Sequence, residues 1–423
     1  MEQFVIKGGK PLYGTVRVQG AKNAALPILA ATLLTEGIHE IRDIPRLSDI
    51  KVMERILRVL GVKVKWDGNH MKLETSGIRT AQIPESLMRL MRSSIFLMGP
   101  LLSRLNEVSV TRPGGCTIGA RPIDLHLKGL RMLGAEIEEK EGTIYCRARK
   151  LTGTVIPLDL PSVGATENIM MAAVRAEGVT VIQNAAREPE IVDLQRFLNR
   201  MGADVSGAGT STITIRGVQR LIPATHEVIP DRIVAGTLAT AAIATGGEIL
   251  LTHVVPDHLE STLTILRQTG ARIKQEGDVL WIRSAPVLKC VGKVKTAPYP
   301  GFPTDMQPQL MTLLSISEGI SSIEEKIFDG RFKHVNELVQ MGADLTVQNE
   351  AVEIRGVPRL RGAVVKATDL RAGAALVIAG LTASGTTHVQ GLSHIDRGYE
   401  RLDRTLLKLG GQIQRYHGKI ASL

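Results

Sequence analysis

Aromatic side chains are scarce: Phe, Tyr and Trp number 6, 5 and 2 in 423 residues. A chain this poor in rings has little surface on which bases can stack, and its cores must be built from Leu, Ile, Val and Ala. The three cysteines, Cys116, Cys146 and Cys290, are an odd number without ligand spacing, which excludes a disulfide framework and a cysteine zinc site. No apolar run reaches the roughly 18 residues of a membrane span. The opening segment M-E-Q-F-V-I-K-G-G-K lacks the charged-then-apolar pattern of a signal peptide, so the chain reads as cytoplasmic. Blocks of like charge are absent too. The formal net charge is +10, but the basic residues are scattered singly, which favours small phosphorylated metabolites over nucleic acid as partners.

What is present is a soluble globular composition, 43% hydrophobic and 22% charged, with 42 glycines. Its length exceeds one ordinary core and calls for two or three domains. Self-similarity organises it further. A leucine-rich helix end followed by Gly recurs six times, with the glycines at 61, 134, 202, 270, 342 and 410, so the period is 68 to 73 residues. Each Gly stands where a helix C-terminus requires a left-handed residue. Each is followed by short alternating strands such as S-T-I-T-I-R and V-L-W-I-R.

Between these marks runs a second, more apolar helix. Its starts are G-A-K-N-A-A-L-P (20–27), M-R-S-S-I-F (91–96), P-S-V-G-A-T (161–166), P-D-R-I-V-A-G (230–236), P-T-D-M-Q-P-Q (303–309) and T-D-L-R-A-G (368–373). Small residues dominate several of these helices, as expected for helices buried on nearly every side. The fold expected is α/β, with six repeated units in two domains of three. Residues 22–229 would form the first domain. Residues 1–21, read as a strand pair, would join 230–423 in the second. A repeated α/β unit alone is equally a binding scaffold. The chemistry at the helix starts argues otherwise: free N–H groups and the positive dipole end make each start an anion site.

G-A-K-N-A-A-L-P, R-P-G-G-C-T-I-G-A-R-P, S-V-G-A-T-E-N, F-P-T-D-M-Q-P-Q and D-L-R-A-G-A-A-L-V, in this order and spacing, resemble the UDP-N-acetylglucosamine 1-carboxyvinyltransferase family of enolpyruvyl transferases. The match runs from Lys7 to about Gly411. The resemblance implies two inside-out α/β domains with the active site in the cleft between them. It implies enolpyruvyl transfer from phosphoenolpyruvate to the 3′-hydroxyl of UDP-N-acetylglucosamine, through a tetrahedral ketal and with release of phosphate. This is the first committed step of peptidoglycan synthesis. Neither metal nor organic cofactor is implied, and the partners expected are the two small substrates, with no nucleic acid, no membrane and a monomeric enzyme.

Cys116 lies among three Gly, two Pro and two Arg in residues 111–122, a composition unfit for a regular element and suited to a mobile lid. Arg112 and Arg121 are placed to lower its thiol pKa if they fold toward it, whereas Cys146 and Cys290 read as inert. The resemblance makes Cys116 the proton donor to the methylene carbon of phosphoenolpyruvate, the site of a phospholactoyl adduct, and the position that fosfomycin alkylates in the family.

Lys22 stands at a helix start, where it opposes the local dipole. By resemblance it binds the phosphate of phosphoenolpyruvate, and Asn23 reaches the reacting centre and the sugar. Arg121, Arg371 and Arg397 would clamp phosphate and carboxylate with planar forks, with Arg331 in support. Asp305, Asp231 and Asp369 each precede an apolar helix and read on spacing alone as N-cap carboxylates. The resemblance selects Asp305 as base or orienting group for the 3′-hydroxyl and Asp369 as a supporting acid. For the nucleotide it implies Arg121, Pro122, Ile123, Asp124 and Leu125 at the uridine and His126 at the diphosphate. Ser162, Val163 and Gly164 would give backbone N–H groups, and Arg92 and the backbone of Ile327 further contacts. Leu160 and Pro161 stand where the family often has a lysine. Two rivals remain open on sequence: the shikimate-pathway transferase, opposed by the Cys116 loop, and a non-catalytic nucleic-acid-binding repeat protein.

Overall fold

A computed structural model describes residues 2–112 and 123–418. Cys116, Arg121 and Pro122 lie outside the described residues. The chain forms two compact units, one of residues 20–112 and 123–229, the other of 2–19 and 230–418. The division falls between Gln19 and Gly20. Gln19 belongs to its unit because its side chain bonds the Gly398 carbonyl and the Glu400 N–H (3.2 and 2.9 Å). Gly20 belongs to the other: a Cβ there would lie 1.8 Å from the Asp43 carbonyl, so only glycine allows that approach.

Each unit is built around three buried helices. One unit has Lys22–Ala31, Met98–Leu105 (entered through a 3-10 turn, Arg92–Leu97) and Val163–Ala173. The other has Arg232–Ala244, Gln307–Leu314 (entered through Thr304–Met306) and Leu370–Thr382. Ala and Gly let these backbones approach closely. Helices that are apolar on every face have no side to offer water, so the sheets lie outside them. Among the described residues no helix is long and apolar enough to cross a membrane.

The amphipathic helices Ser48–Val59, Asp124–Met132, Pro189–Arg200, Glu260–Gln268, Val335–Gln340 and Leu402–Lys408 end at the six recurrent glycines, whose φ values run from 88 to 103°. The N–H groups of Val62, Ala135, Ala203 and Ala343 reach back to Leu57, Leu130, Leu198 and Leu338, closing each end in a Schellman turn.

Six sheets follow one plan: a short strand runs parallel to its neighbour, and two antiparallel strands complete the set. Thus Val155–Pro157 pairs parallel with Val179–Gln183, which pairs antiparallel with Thr212–Arg216, itself beside Asp204–Ser206. In the second repeat the parallel edge shrinks to one bridge, Gln82 to Ser109. Residues 2–17 do not form a hairpin. Strand Glu2–Lys7 lies between Thr386–Gln390 and Gln412–His417, while Tyr13–Arg17 pairs with Glu248–Thr252 in another sheet of the same unit. Strand Thr225–Glu227 likewise returns to pair with Ile38–Arg42. The two strands expected here are present, and which sheet each joins is set by the fold, because short strands carry no signal for it.

Candidate active site

In the unit of residues 20–229, Lys22 occupies the first turn of its helix and is buried, with Nζ 3.2 Å from Oδ2 of Asp49. Asp49 is itself buried in the first turn of Ser48–Val59. Asn23, the next residue, is exposed. The Asp49 carboxylate sets the direction of the Lys22 ammonium, a compact positive charge suited to an anion.

His126 sits in the first turn of Asp124–Met132, whose start also carries Ile123, exposed Asp124 and half-buried Leu125. The Asn168 amide nitrogen is 3.0 Å from His126 Nδ1, and its oxygen accepts the Gly99 N–H at 2.6 Å. With the amide oriented by Gly99, Asn168 donates to Nδ1, so the imidazole proton resides on Nε2. Burial, with the Arg92 charge acting in the same direction, drives the His126 pKa down to about 3 and keeps the ring neutral. The ring lies against Gly164, where a Cβ would come within 3.1 Å of Cε1 and 3.3 Å of Nε2. Nε2–H is therefore presented beside the start of Val163–Ala173, together with Arg92.

At that start, Ser162 caps the helix through Oγ, which accepts from the Ala165 N–H at 3.3 Å. The Ser162 N–H does not match the expectation of a diphosphate donor, because it already donates to the Leu160 carbonyl (2.8 Å). Val163 and Gly164, the first helical positions, keep N–H groups that the helix cannot use. Leu160 is exposed. The Arg112 guanidinium forms a fork with the Glu139 carboxylate at 2.9 and 3.0 Å, and Cys116 itself lies outside the described residues. Cys146 is buried in its strand, which pushes its thiol up to about 12, and is unreactive.

The other unit holds Asp231, Asp305 and Asp369 with Arg331, Arg371 and Arg397. Asp231 and Asp369 are true caps, accepting from Ile233 and Val234, and from Arg371 and Ala372, respectively. Asp305 is not. It lies inside the 3-10 turn, without a capping bond, and its carboxylate faces two buried arginines. Arg331 Nη2 donates to Oδ1 at 2.6 Å, and Arg371 gives Nε and Nη2 to Oδ2 at 3.1 and 2.9 Å. Helix-start position could not separate the three acids; long-range arginine partners do.

Burial opposes the Arg371 charge, yet Asp305, Tyr399 and Asp231 hold its pKa above the ordinary value. Arg331 also reaches toward Asp369 at 3.8 Å and donates to the Thr304 carbonyl. Arg397 is half-buried in the turn after Leu392–Ile395, close enough to add to the burial that lowers the His394 pKa. The Ile327 N–H is bound by Glu325 Oε1 at 2.8 Å, so a nucleotide contact from Ile327 falls to its carbonyl.

Four supporting residues escape sequence reasoning. Asp49 holds Lys22 and Asn168 sets His126. Buried Glu325 ties Thr304 to Ile327 and Phe328. Tyr399 bonds Arg371. Only Asn168, inside S-V-G-A-T-E-N, lies within a recognisable motif.

A family model described as EPSP synthase (3-phosphoshikimate 1-carboxyvinyltransferase) matches residues 6–406. UDP-N-acetylglucosamine 1-carboxyvinyltransferase 2 of Caldanaerobacter subterraneus is 53% identical over 98% of this chain and 100% of that protein. The chain belongs to the UDP-N-acetylglucosamine 1-carboxyvinyltransferase family of enolpyruvyl transferases. The family member from Myxococcus xanthus is 48% identical over 98% of this chain and 99% of its own. The crystal structure of the enolpyruvyl transferase NikO from Streptomyces tendae matches with a TM-score of 0.88 at 26% identity, covering 98% of each chain. EPSP synthase from Acinetobacter baumannii, at 20% identity and TM-score 0.77 over 99% of this chain and 100% of that one, shares the fold.

Proposed function

We propose that the chain transfers the enolpyruvyl group of phosphoenolpyruvate to the 3′-hydroxyl of UDP-N-acetylglucosamine in the cytoplasm, as a monomer, opening peptidoglycan synthesis. The observation that carries this reading is the 53% identity, over 98% of the chain, to a relative bearing that activity in its name.

The roles follow the family resemblance, and the contacts described above support several of them. Lys22, oriented by Asp49, binds the phosphate of phosphoenolpyruvate, while Asn23 contacts the reacting centre. Arg121, Arg371 and Arg397 balance phosphate and carboxylate. Arg92, the Nε2–H of His126 and the N–H groups of Val163 and Gly164 receive the diphosphate. The segment 121–125 and the Ile327 carbonyl receive the uridine. Asp305, fixed by Arg331 and Arg371, accepts the hydrogen bond of the sugar 3′-hydroxyl and aims its oxygen, with Asp369 supporting Arg331.

Cys116 protonates the methylene carbon, the neighbouring carbon becomes electrophilic, and the 3′-oxygen adds to it as the hydroxyl proton leaves toward Asp305. The resulting ketal loses a proton from the new methyl group and expels phosphate, restoring the carbon–carbon double bond. Fixed cations lower the cost of the charge that develops on the reacting oxygens.

The test is phosphate release from phosphoenolpyruvate with UDP-N-acetylglucosamine or shikimate 3-phosphate as acceptor, in wild type and Cys116→Ala. Release with the UDP-sugar alone, lost in the variant, is the expected result. Release only with shikimate 3-phosphate would overturn the choice of acceptor, and release with neither would overturn the reading as an enzyme.

A further inference from the structure

Among the described residues Tyr399 is one of the two largest fully buried side chains, and it has no place in the chemistry above. Its hydroxyl stands at a junction. Arg371 Nη1 lies 3.2 Å away, Thr237 Oγ1 3.0 Å and Gln309 Nε2 3.3 Å. The guanidinium carbon of Arg371 is also 5.5 Å from the centre of the Tyr399 ring.

The proton inventory sets the direction of this network. Thr237 has one hydroxyl proton, and the Ile233 carbonyl at 2.7 Å takes it. The Thr237 oxygen is then an acceptor, so the Tyr399 hydroxyl donates to it. A guanidinium has donors only. The Tyr399 oxygen therefore accepts from Arg371, whichever way the Gln309 amide is turned. Arg371 is thus held at both ends: Nη1 by Tyr399, and Nε with Nη2 by Asp305 Oδ2 at 3.1 and 2.9 Å.

We infer that Tyr399 is a positioning residue for the transfer, its oriented hydroxyl fixing the Arg371 fork and, through it, the Asp305 carboxylate. The relay starts in the packed centre of the unit, at Thr237 and Gln309, so the acid inherits the rigidity of the three-helix core. Among the described residues, charged or titratable groups facing the pair include Arg331 and His334 before Val335–Gln340, and Asp231 and Asp369 at two helix starts.

The inference rests on the reading that Asp305 serves the acceptor hydroxyl. Its test is the pH dependence of kcat for wild type, Tyr399→Phe, Thr237→Val and Thr237→Ser, with the thermal midpoint of each. Tyr399→Phe keeps the ring over Arg371 and removes only the oxygen. Without that acceptor the fork turns, Asp305 loses aligned donors and takes up a proton more readily. The expected result is a fall in kcat of about tenfold, a KM for UDP-N-acetylglucosamine within about twofold, and an acid limb displaced to higher pH. Thr237→Val should give a smaller displacement in the same direction, and Thr237→Ser should behave as wild type. An unmoved acid limb in Tyr399→Phe, or a loss of kcat that only follows a fallen thermal midpoint, would overturn the inference. An Asp305→Asn enzyme with undiminished kcat would instead remove the premise, a separate and recognisable failure.

Discussion

Lys22 and Asp49 meet at 3.2 Å with both side chains buried, joining the first turns of two successive helices. The carboxylate offsets the cost of placing an ammonium at the positive end of a helix, and it aims Nζ. Replacing Asp49 by Asn leaves a weaker, neutral partner. The KM for phosphoenolpyruvate should rise by about tenfold, equivalent to about 1.4 kcal/mol, with the KM for the UDP-sugar little changed. Steady-state kinetics with each substrate varied in turn checks this; equal rises in both KM values would count against it.

Asn168 dictates which nitrogen of His126 bears the proton. Asn168→Asp removes the donor to Nδ1 and places an acceptor there. His126 should then carry a proton on Nδ1, and its pKa should rise from about 3 toward the ordinary range. Side-chain 15N spectra report the tautomer directly. If Nε2 remains the sole protonated nitrogen in the variant, the assignment is wrong.

Three buried histidines make the fold acid-sensitive. Burial first, then Arg104, lowers His39 to about 4; His126 falls to about 3; and His334 falls to about 4 through burial, with Asp369 opposing and Arg331 assisting. These pKa values are depressed on folding, so the associated stability is fully present above the ordinary value of 6.5. It declines as pH drops, because the unfolded chain takes up protons that the folded chain refuses. Each site contributes a slope of up to about 1.4 kcal/mol per pH unit. Urea midpoints measured downward from neutral pH should fall steeply, and His39→Gln should flatten the curve.

Glu167 behaves in the opposite sense. It is fully buried, and neither carboxylate oxygen has a hydrogen-bond partner among the described residues. Burial, then the charges of Glu190 and Glu188, raises its pKa well above 4.5. Below that ordinary value both folded and unfolded chains are protonated there, and nothing is lost. As pH rises, the unfolded chain ionises first, so the stability contributed by the neutral acid drains away until the buried group itself ionises. Glu167→Gln should therefore gain in thermal midpoint over wild type as pH increases from about 5 to about 8. A pH-independent difference would contradict this.

The six glycines and their helix ends were legible because a left-handed C-terminus is a local event, decided within a few residues. The buried helices were legible from composition alone. The acids were not. Asp231, Asp305 and Asp369 precede helices alike, and only Arg331 and Arg371, 26 and 66 residues from Asp305, distinguish it. Asp49, Glu325 and Tyr399 were invisible for the same reason: each acts through a partner that the fold brings near. Ser162 shows the converse limit, since its helix-start pattern was readable but the turn to Leu160 that occupies its N–H was not. The resemblance supplied roles for Cys116, Arg121 and Pro122, which the described geometry does not reach.

Strand Glu2–Lys7 has a temporal consequence. It is synthesised before either of its neighbours, Thr386–Gln390 and Gln412–His417, so during translation it waits while the residues between them are made. The unit of residues 20–229 needs no later segment and can close early, whereas its companion is sealed only once Gln412–His417 has been made. Assembly is therefore ordered in time, with an unpaired β-edge exposed until the strands Thr386–Gln390 and Gln412–His417 arrive.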